Sequence, residues 1–304
     1  MYYTGFADEA SFSLEGQIKA TKALGWSCIE SRNIDGINLH NLSEEQFEKV
    51  VSQLEAARVK INCFGSAVAN WAKDPTVEAD VQLSIQELER SLKRMDVLGC
   101  KMIRAMSFKM MKRHSPHDKS IEELVIKHTK DLVRRCEDAG VIYLHENCMN
   151  YGGQSPEHSL KLVEAINSPN FKLVFDTGNP PFTDLRLGEG PYKKQNSWEF
   201  YSKVKEHIHY IHIKDSIFLS EQDGIFPKAT FTYPGEGDGD VKKIILDLVM
   251  NGYEGGLSIE PHMEIVFHND NNDSKETKKA ETYIEYGRRL MQLVEKAKSD
   301  AFWR

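Results

Sequence analysis

The sequence predicts an α/β fold, a single-domain (β/α)8 TIM barrel spanning residues 1–304. Two observations carry this reading. Short β-rich runs alternate with amphipathic stretches along the whole chain, and eight such units favour a closed barrel. No GxGxxG follows the first β-rich run, which removes the usual reason to prefer an open doubly wound sheet.

The elements follow in order. The first strand, 2–6 (YYTGF), leads to a helix over 14–24, and the second, 27–31 (SCIES), to a helix over 43–57. That second helix opens on Ser43 followed by Glu44 and Glu45, acceptors suited to a helix N-terminus. Strand 59–64 precedes helix 77–98, and strand 102–108 precedes helix 121–138, which Gly140 closes before Val141. Strands at 141–146, 172–176, 210–214 and 256–260 precede helices at 156–165, 198–204, 241–250 and 275–298. Surplus residues sit after strands, in the polar, Gly/Pro-punctuated segments 64–76, 177–197 and 215–240. In a barrel these loops open on the catalytic face, so the surplus predicts a lidded pocket.

Composition excludes several classes. With 304 residues, 40% hydrophobic and 28% charged, the chain has the balance of a soluble globular protein. A mean hydropathy of -0.50 and the lack of a long apolar run argue against a membrane span. The start MYYTGFADEASF lacks signal-peptide regions, so a cytoplasmic location is expected. Five cysteines without a CxxC pair support neither a disulfide framework nor a zinc knuckle. A net charge of -7 opposes nucleic-acid binding.

The chemistry lies at the ends of the last four strands. VIYLHEN ends on Glu146, KLVFDTGN on Asp176, YIHIKD on His212 and GGLSIEP on Glu260. Side chains alternate along a strand, so Glu146 shares a face with Leu144, Asp176 with Val174, His212 with Tyr210 and Glu260 with Ser258. All four polar groups therefore point into one mouth. Three carboxylates meeting there would repel one another, and a divalent cation resolves the conflict. Three oxygen donors and one imidazole nitrogen suit Mn²⁺ first, with Mg²⁺, Co²⁺ or Zn²⁺ as alternatives.

These residues also carry a resemblance. GFADEAS, CIESR, LHEN, FDTGN, IHIKD, PGEGDGD and SIEP look like the xylose isomerase-like TIM barrel superfamily, in its sugar phosphate isomerase/epimerase branch. The resemblance implies one divalent metal and a sugar, keto sugar or related polyol as substrate. It further implies that Glu146 and Glu260 act as acid and base on opposite faces of that substrate. The superfamily's AP endonucleases gather extra histidines for three zinc ions, whereas His40, His114, His117, His128, His158 and His268 are scattered here.

Further candidates surround this set. His145 precedes a ligand; alternation turns it off the Glu146 face, yet a broken alternation at the strand end makes it a candidate base. Lys214 is expected to neutralise an oxyanion or a substrate phosphate, or to pair with Asp176 or Glu260, and Asn179 and Asn147 are expected to meet a hydroxyl or to hold their loops. His262 is expected at the rim. Glu30 and Arg32 are expected to pair with each other or a neighbouring strand, or to reach a sugar hydroxyl. Trp71, Phe226, Phe231 and Tyr233 stand on loops where they can stack on a sugar or aglycone, or serve as lid or subunit contacts.

The leading expectation is a metal-dependent sugar or keto-sugar isomerase or epimerase working through an enediolate. The alternative is a lyase on a keto sugar, either an inosose-type dehydratase or the catalytic subunit of a 3-oxo-C-glycoside deglycosidase with a small accessory subunit. A non-catalytic sugar-binding barrel is the remote third. A homo-oligomer is expected in each case.

Overall fold

A computed structural model describes residues 1–222, 227–263 and 273–302. Eight parallel strands form its centre: β1 (Tyr2–Gly5), β2 (Cys28–Ser31), β3 (Lys60–Gly65), β4 (Met102–Ala105), β5 (Ile142–Glu146), β6 (Phe171–Asp176), β7 (Ile208–Ile213) and β8 (Gly256–Ile259). Their order in the sheet is β1-β8-β7-β6-β5-β4-β3-β2. A single parallel bridge between Phe6 and Glu30 joins β1 to β2 and closes the ring. The architecture is the barrel that the alternation predicts.

Helices α1 (Leu14–Ala23), α2 (Glu44–Ala57), α3 (Glu78–Leu98), α4 (Lys119–Asp138), α5 (Pro156–Ile166), α6 (Ser197–Val204), α7 (Val241–Met250) and α8 (Asp273–Phe302) surround it. Their starts obey capping chemistry. Ser43 and Gln46 form a reciprocal capping box on α2, and Asp118 accepts from Ser120 and Ile121 on α4. The main apolar core packs between strands and helices, with Ile29, Ile103, Phe175, Ile211 and Leu257 on the outer strand faces. Inside the barrel a separate layer of Cys63, Leu144, Val174 and Tyr210 is fully buried. Three of these stand two residues before Glu146, Asp176 and His212, so they form the floor on which those groups rest.

Two stretches depart from the sequence reading. The fourth strand ends at Ala105, not 108, because Met106 and Phe108 bond the loop after β3: their N–H groups donate to the Val68 and Ala69 carbonyls at 3.1 and 2.6 Å. Within 215–240, read as loop, lies an antiparallel hairpin of Asp215–Ser220 with Lys228–Thr232. The glycines of PGEGDGD have a local purpose. Gly235, Gly237 and Gly239 donate backbone N–H groups to the buried Asp215 carboxylate at 2.8, 3.0 and 2.8 Å. A Cβ on Gly237 would sit 2.5 Å from Asp215 Oδ1. No helix among the described residues is long and apolar enough to cross a membrane.

Candidate metal centre

Glu146, Asp176, His212 and Glu260 are all buried, and one donor atom from each lies within 4.8 Å of the others. His212 Nδ1 stands 4.0, 3.9 and 4.0 Å from oxygens of Glu146, Asp176 and Glu260. These separations exceed hydrogen-bond length, and His212 Nδ1 is a buried nitrogen without a hydrogen-bond partner. Its other nitrogen is spoken for. His212 Nε2 faces both oxygens of Glu30 at 3.2 and 3.1 Å, and Ser258 donates to the same carboxylate at 2.6 Å. A carboxylate behind an imidazole fixes the tautomer and turns the free lone pair toward a metal.

Of the three carboxylates, Asp176 is likewise held at one oxygen and open at the other, whereas Glu146 and Glu260 have neighbours at both. Asp176 Oδ1 accepts from the Gly178 and Asn179 N–H groups at 2.8 Å each, leaving Oδ2 toward the cluster without a hydrogen bond. Glu146 Oε1 accepts from the Asn179 amide at 3.1 Å, and its Oε2 is 3.4 Å from Arg104 Nε. Glu260 Oε1 is 3.3 Å from Arg32 and 3.5 Å from His262. An orphaned imidazole nitrogen, an orphaned carboxylate oxygen and two more convergent carboxylates fit a divalent cation.

Without a cation the charge is balanced by Lys214. Its Nζ lies 2.8 Å from Asp176 Oδ2, outside hydrogen-bond geometry, and donates to Glu260 Oε2 at 3.0 Å. Burial works against the ammonium, but Asp176, Glu260 and Glu146 hold it well above the usual lysine range. Burial also disfavours charge on His212, yet Glu30 foremost, then Glu146 and Glu260, raise it to about 9. Asp176 rises to about 7 despite Lys214, because burial and the Glu260 and Glu146 charges outweigh one ammonium. Glu260 goes the other way: burial is overcome by Lys214, His262, His212 and Arg32, which keep its carboxyl well below the ordinary range.

The remaining candidates separate. Asn179 is buried against Glu146, while Asn147 bonds the Asp176 backbone at 2.6 and 3.0 Å and braces β5 to β6. His262 has a left-handed backbone (φ 54°) and accepts no freedom: its N–H and Nδ1 meet Glu9 at 2.7 and 2.8 Å while Nε2 turns to Glu260. Glu30 and Arg32 do not pair with each other. Glu30 lies within β2 and is fully buried in the barrel, whereas β2 ends at Ser31 and Arg32 stands just beyond it, where it meets Asp8 at 2.8 Å and Glu9 at 3.2 Å.

His145 is not brought to the cluster. Alternation persists to the end of β5, so its buried ring turns away from Glu146, with Nε2 2.9 Å from Ser107 Oγ and 3.2 Å from Asn150 Oδ1. Burial lowers it to about 4. Trp71 and Phe231 pack on a second apolar cluster of Met106, Cys148, Met149 and Phe182, and Phe231 meets the His262 ring edge-on. Tyr233 instead faces α8, with the Arg289 guanidinium 3.8 Å over its ring. Phe226 and His268 lie outside the described residues.

Three supporting residues were missed by the sequence reading: Glu30 as the His212 anchor, Arg104 and Glu9. Arg104 had a signal, a charge inside the apolar run MIRA; a buried charge in a strand demands a partner.

A family model described as "Xylose isomerase-like TIM barrel" matches residues 18–292. The chain belongs to that family. It is 30% identical over 130 residues to an inosose dehydratase of Clostridium tetani, a match covering 41% of this chain and 41% of that protein. The chain thus spans well under half the length of that relative. Among solved structures it resembles the IOLI protein with a binding zinc atom (TM-score 0.72, 17% identity, 97% of this chain and 99% of that one). A D-tagatose 3-epimerase-like protein follows with TM-score 0.70, 17% identity and the same coverages.

Proposed function

We propose that this member of the xylose isomerase-like TIM barrel family is a divalent-metal-dependent enzyme that moves a proton at a carbon beside the carbonyl of a sugar or keto sugar, as an epimerase or isomerase. The observation that carries the reading is the buried set Glu146, Asp176, His212 and Glu260, with His212 Nδ1 left unpartnered at its centre. A divalent cation held by these four would polarise the carbonyl and stabilise the enediolate left by the departing proton. Three oxygens and one nitrogen favour Mn²⁺, and Mg²⁺, Co²⁺ and Zn²⁺ suit the same donors.

The chain's own groups supply the proton handling. Glu260 is held ionised by Lys214, His262, His212 and Arg32, so it is a base in the resting site. Glu146 projects from β5, three strands away in the ring, and takes the complementary acid role. Removal by one carboxylate and return by the other inverts a centre; return to the neighbouring carbon isomerises it. Lys214, between Asp176 and Glu260, is placed to neutralise a developing oxyanion, and Asn179 and His262 to hold hydroxyls. The apolar collar of Met106, Cys148, Met149, Phe182, Trp71 and Phe231 limits water. His145, buried beside Ser107, supports β5 and takes no proton.

A lyase reading has its own support in the inosose dehydratase similarity. Incubation of the manganese-loaded protein with ketoses and inososes in deuterated water decides between them. Deuterium gained with all hydroxyls retained supports epimerisation or isomerisation; loss of water supports dehydration. Full activity and full metal content in Glu260→Gln would refute the assigned centre.

A further inference from the structure

A second feature of the barrel mouth is a cleft of about 500 Å³ between Trp71, Met149 and the segment 109–114. Its size falls in the range of small-molecule sites, roughly 300 to 1,000 Å³. Its lining has two characters. Trp71, Met110, Met111 and Met149 give an apolar surface of one indole and three thioethers, groups that favour contact with a flat aromatic ring. Lys109, Lys112, Arg113 and His114 bring four basic groups in six consecutive positions, in a chain whose net charge is -7. The Lys109 ammonium and the Arg113 guanidinium have no ion-pair partner among the described residues, whereas His114 is engaged by Asp118 at 2.8 Å. Asp74 is the acidic member of the lining, and one of its oxygens is occupied by Thr76 at 2.6 and 2.9 Å.

The cleft is also braced. The Lys109 N–H donates to the Lys73 carbonyl at 2.8 Å, and Lys109 bridges Asn150 on the loop that follows Glu146. On the far side Arg186, itself buried, donates to the His114 carbonyl at 3.0 Å and the Lys112 carbonyl at 3.4 Å. Phe108 enters the segment with a left-handed backbone (φ 63°), a conformation held by its contacts to Ala69 and Tyr151. A preformed surface loses little entropy on binding.

We propose that this cleft is a substrate subsite for an aromatic anion, a planar ring carrying a carboxylate or phenolate, attached to the sugar processed at the metal centre. The inference rests on the proposed function for the sugar half and names the class of its extension. A bare phosphate would meet the cations but waste the Trp71 and methionine surface, and a neutral ring would leave Lys109 and Arg113 unmatched. Met149, three residues beyond Glu146, belongs to both the apolar collar and the cleft, which puts the two subsites on one loop.

The test is calorimetric binding of naphthalene-2-carboxylate to the full chain, with cyclohexanecarboxylate and inorganic phosphate as comparison ligands. Naphthoate is expected to bind more tightly than both, and equally well with and without metal. Trp71→Ala weakens it about threefold to tenfold, the scale of one aromatic contact. Lys109→Met/Arg113→Met, which leaves the apolar floor in place, weakens naphthoate and leaves cyclohexanecarboxylate no better than before. Glu260→Gln leaves naphthoate binding unchanged. The proposal is overturned if phosphate binds as well as naphthoate, if both cleft variants bind like the wild type, or if Glu260→Gln abolishes binding. A protein that binds naphthoate in the cleft yet exchanges no deuterium into any keto sugar keeps this subsite and refutes the proposed reaction.

Discussion

Replacing Glu30 by Gln isolates the support behind the metal centre from the centre itself. Glu30 is fully buried, contributes no donor to the four-residue set, and meets His212 Nε2 at 3.1 and 3.2 Å. Burial disfavours its charge, but His212, Ser258 and Arg104 keep the carboxyl below the ordinary range, so it is an anion in the folded chain. Gln keeps the volume and one acceptor oxygen but removes the charge that makes His212 basic. Loss of such a supporting carboxylate lowers metal affinity about 10- to 100-fold. For a 30-fold loss at saturating metal, the metal-dependent gain in stability shrinks by about 2 kcal/mol. Titration calorimetry with Mn²⁺ gives the first quantity, and denaturant unfolding with and without Mn²⁺ gives the second. Affinity within twofold of the wild type would falsify the claim that Glu30 orients His212.

Other outcomes follow from the same geometry. Metal-free His212 holds a proton up to about pH 9, and that proton must leave before Nδ1 can bind a cation. Apparent Mn²⁺ affinity therefore rises with pH between 7 and 9, by about tenfold per unit while one proton is displaced; calorimetry at pH 7 in buffers of different ionisation enthalpy measures the release, and no release refutes it. The sign for stability is opposite: a raised histidine stabilises the metal-free fold fully below its unfolded value near 6.5 and loses this as pH passes about 9. Lys214→Met leaves buried carboxylates without their counter-charge and destabilises the metal-free protein by about 3–5 kcal/mol, while Mn²⁺ restores more stability than it gives the wild type; equal melting curves refute this. His145→Ala costs about 1–3 kcal/mol of stability through the abandoned Ser107 and Asn150 partners but leaves the pH profile of turnover in place, which a lost base would not. Gly237→Ala, which drives a Cβ to 2.5 Å from Asp215 Oδ1, costs about 1–3 kcal/mol by overpacking, read by denaturant midpoint.

The sequence makes one dimension of this site legible and hides the other. Strand periodicity assigns faces, so Glu146, Asp176 and His212 could be placed in one mouth from the residues two positions before them, and the observed floor of Leu144, Val174 and Tyr210 obeys that rule. The same rule, followed strictly, also sends His145 into the wall, where the structure finds it. What periodicity does not carry is the partner across the ring. Glu30 and His212 are 182 residues apart, and Arg32 and Glu260 are 228 apart; each pair meets only because the barrel closes between β1 and β2. Periodicity puts Glu30 and Arg32 on the same face and so allows a pair between them as well as one to a neighbouring strand; the structure takes the second course for Arg32, which lies just past the end of β2 and meets Glu260. The pairing of Asp215–Ser220 with Lys228–Thr232 was hidden for a related reason, since each strand depends on a partner that is not its immediate neighbour in sequence. Closure thus does two things at once in this chain. It completes the sheet, and it delivers the carboxylate that fixes the tautomer of His212, so any change that loosens the β1–β2 seam is expected to weaken metal binding before it unfolds the barrel.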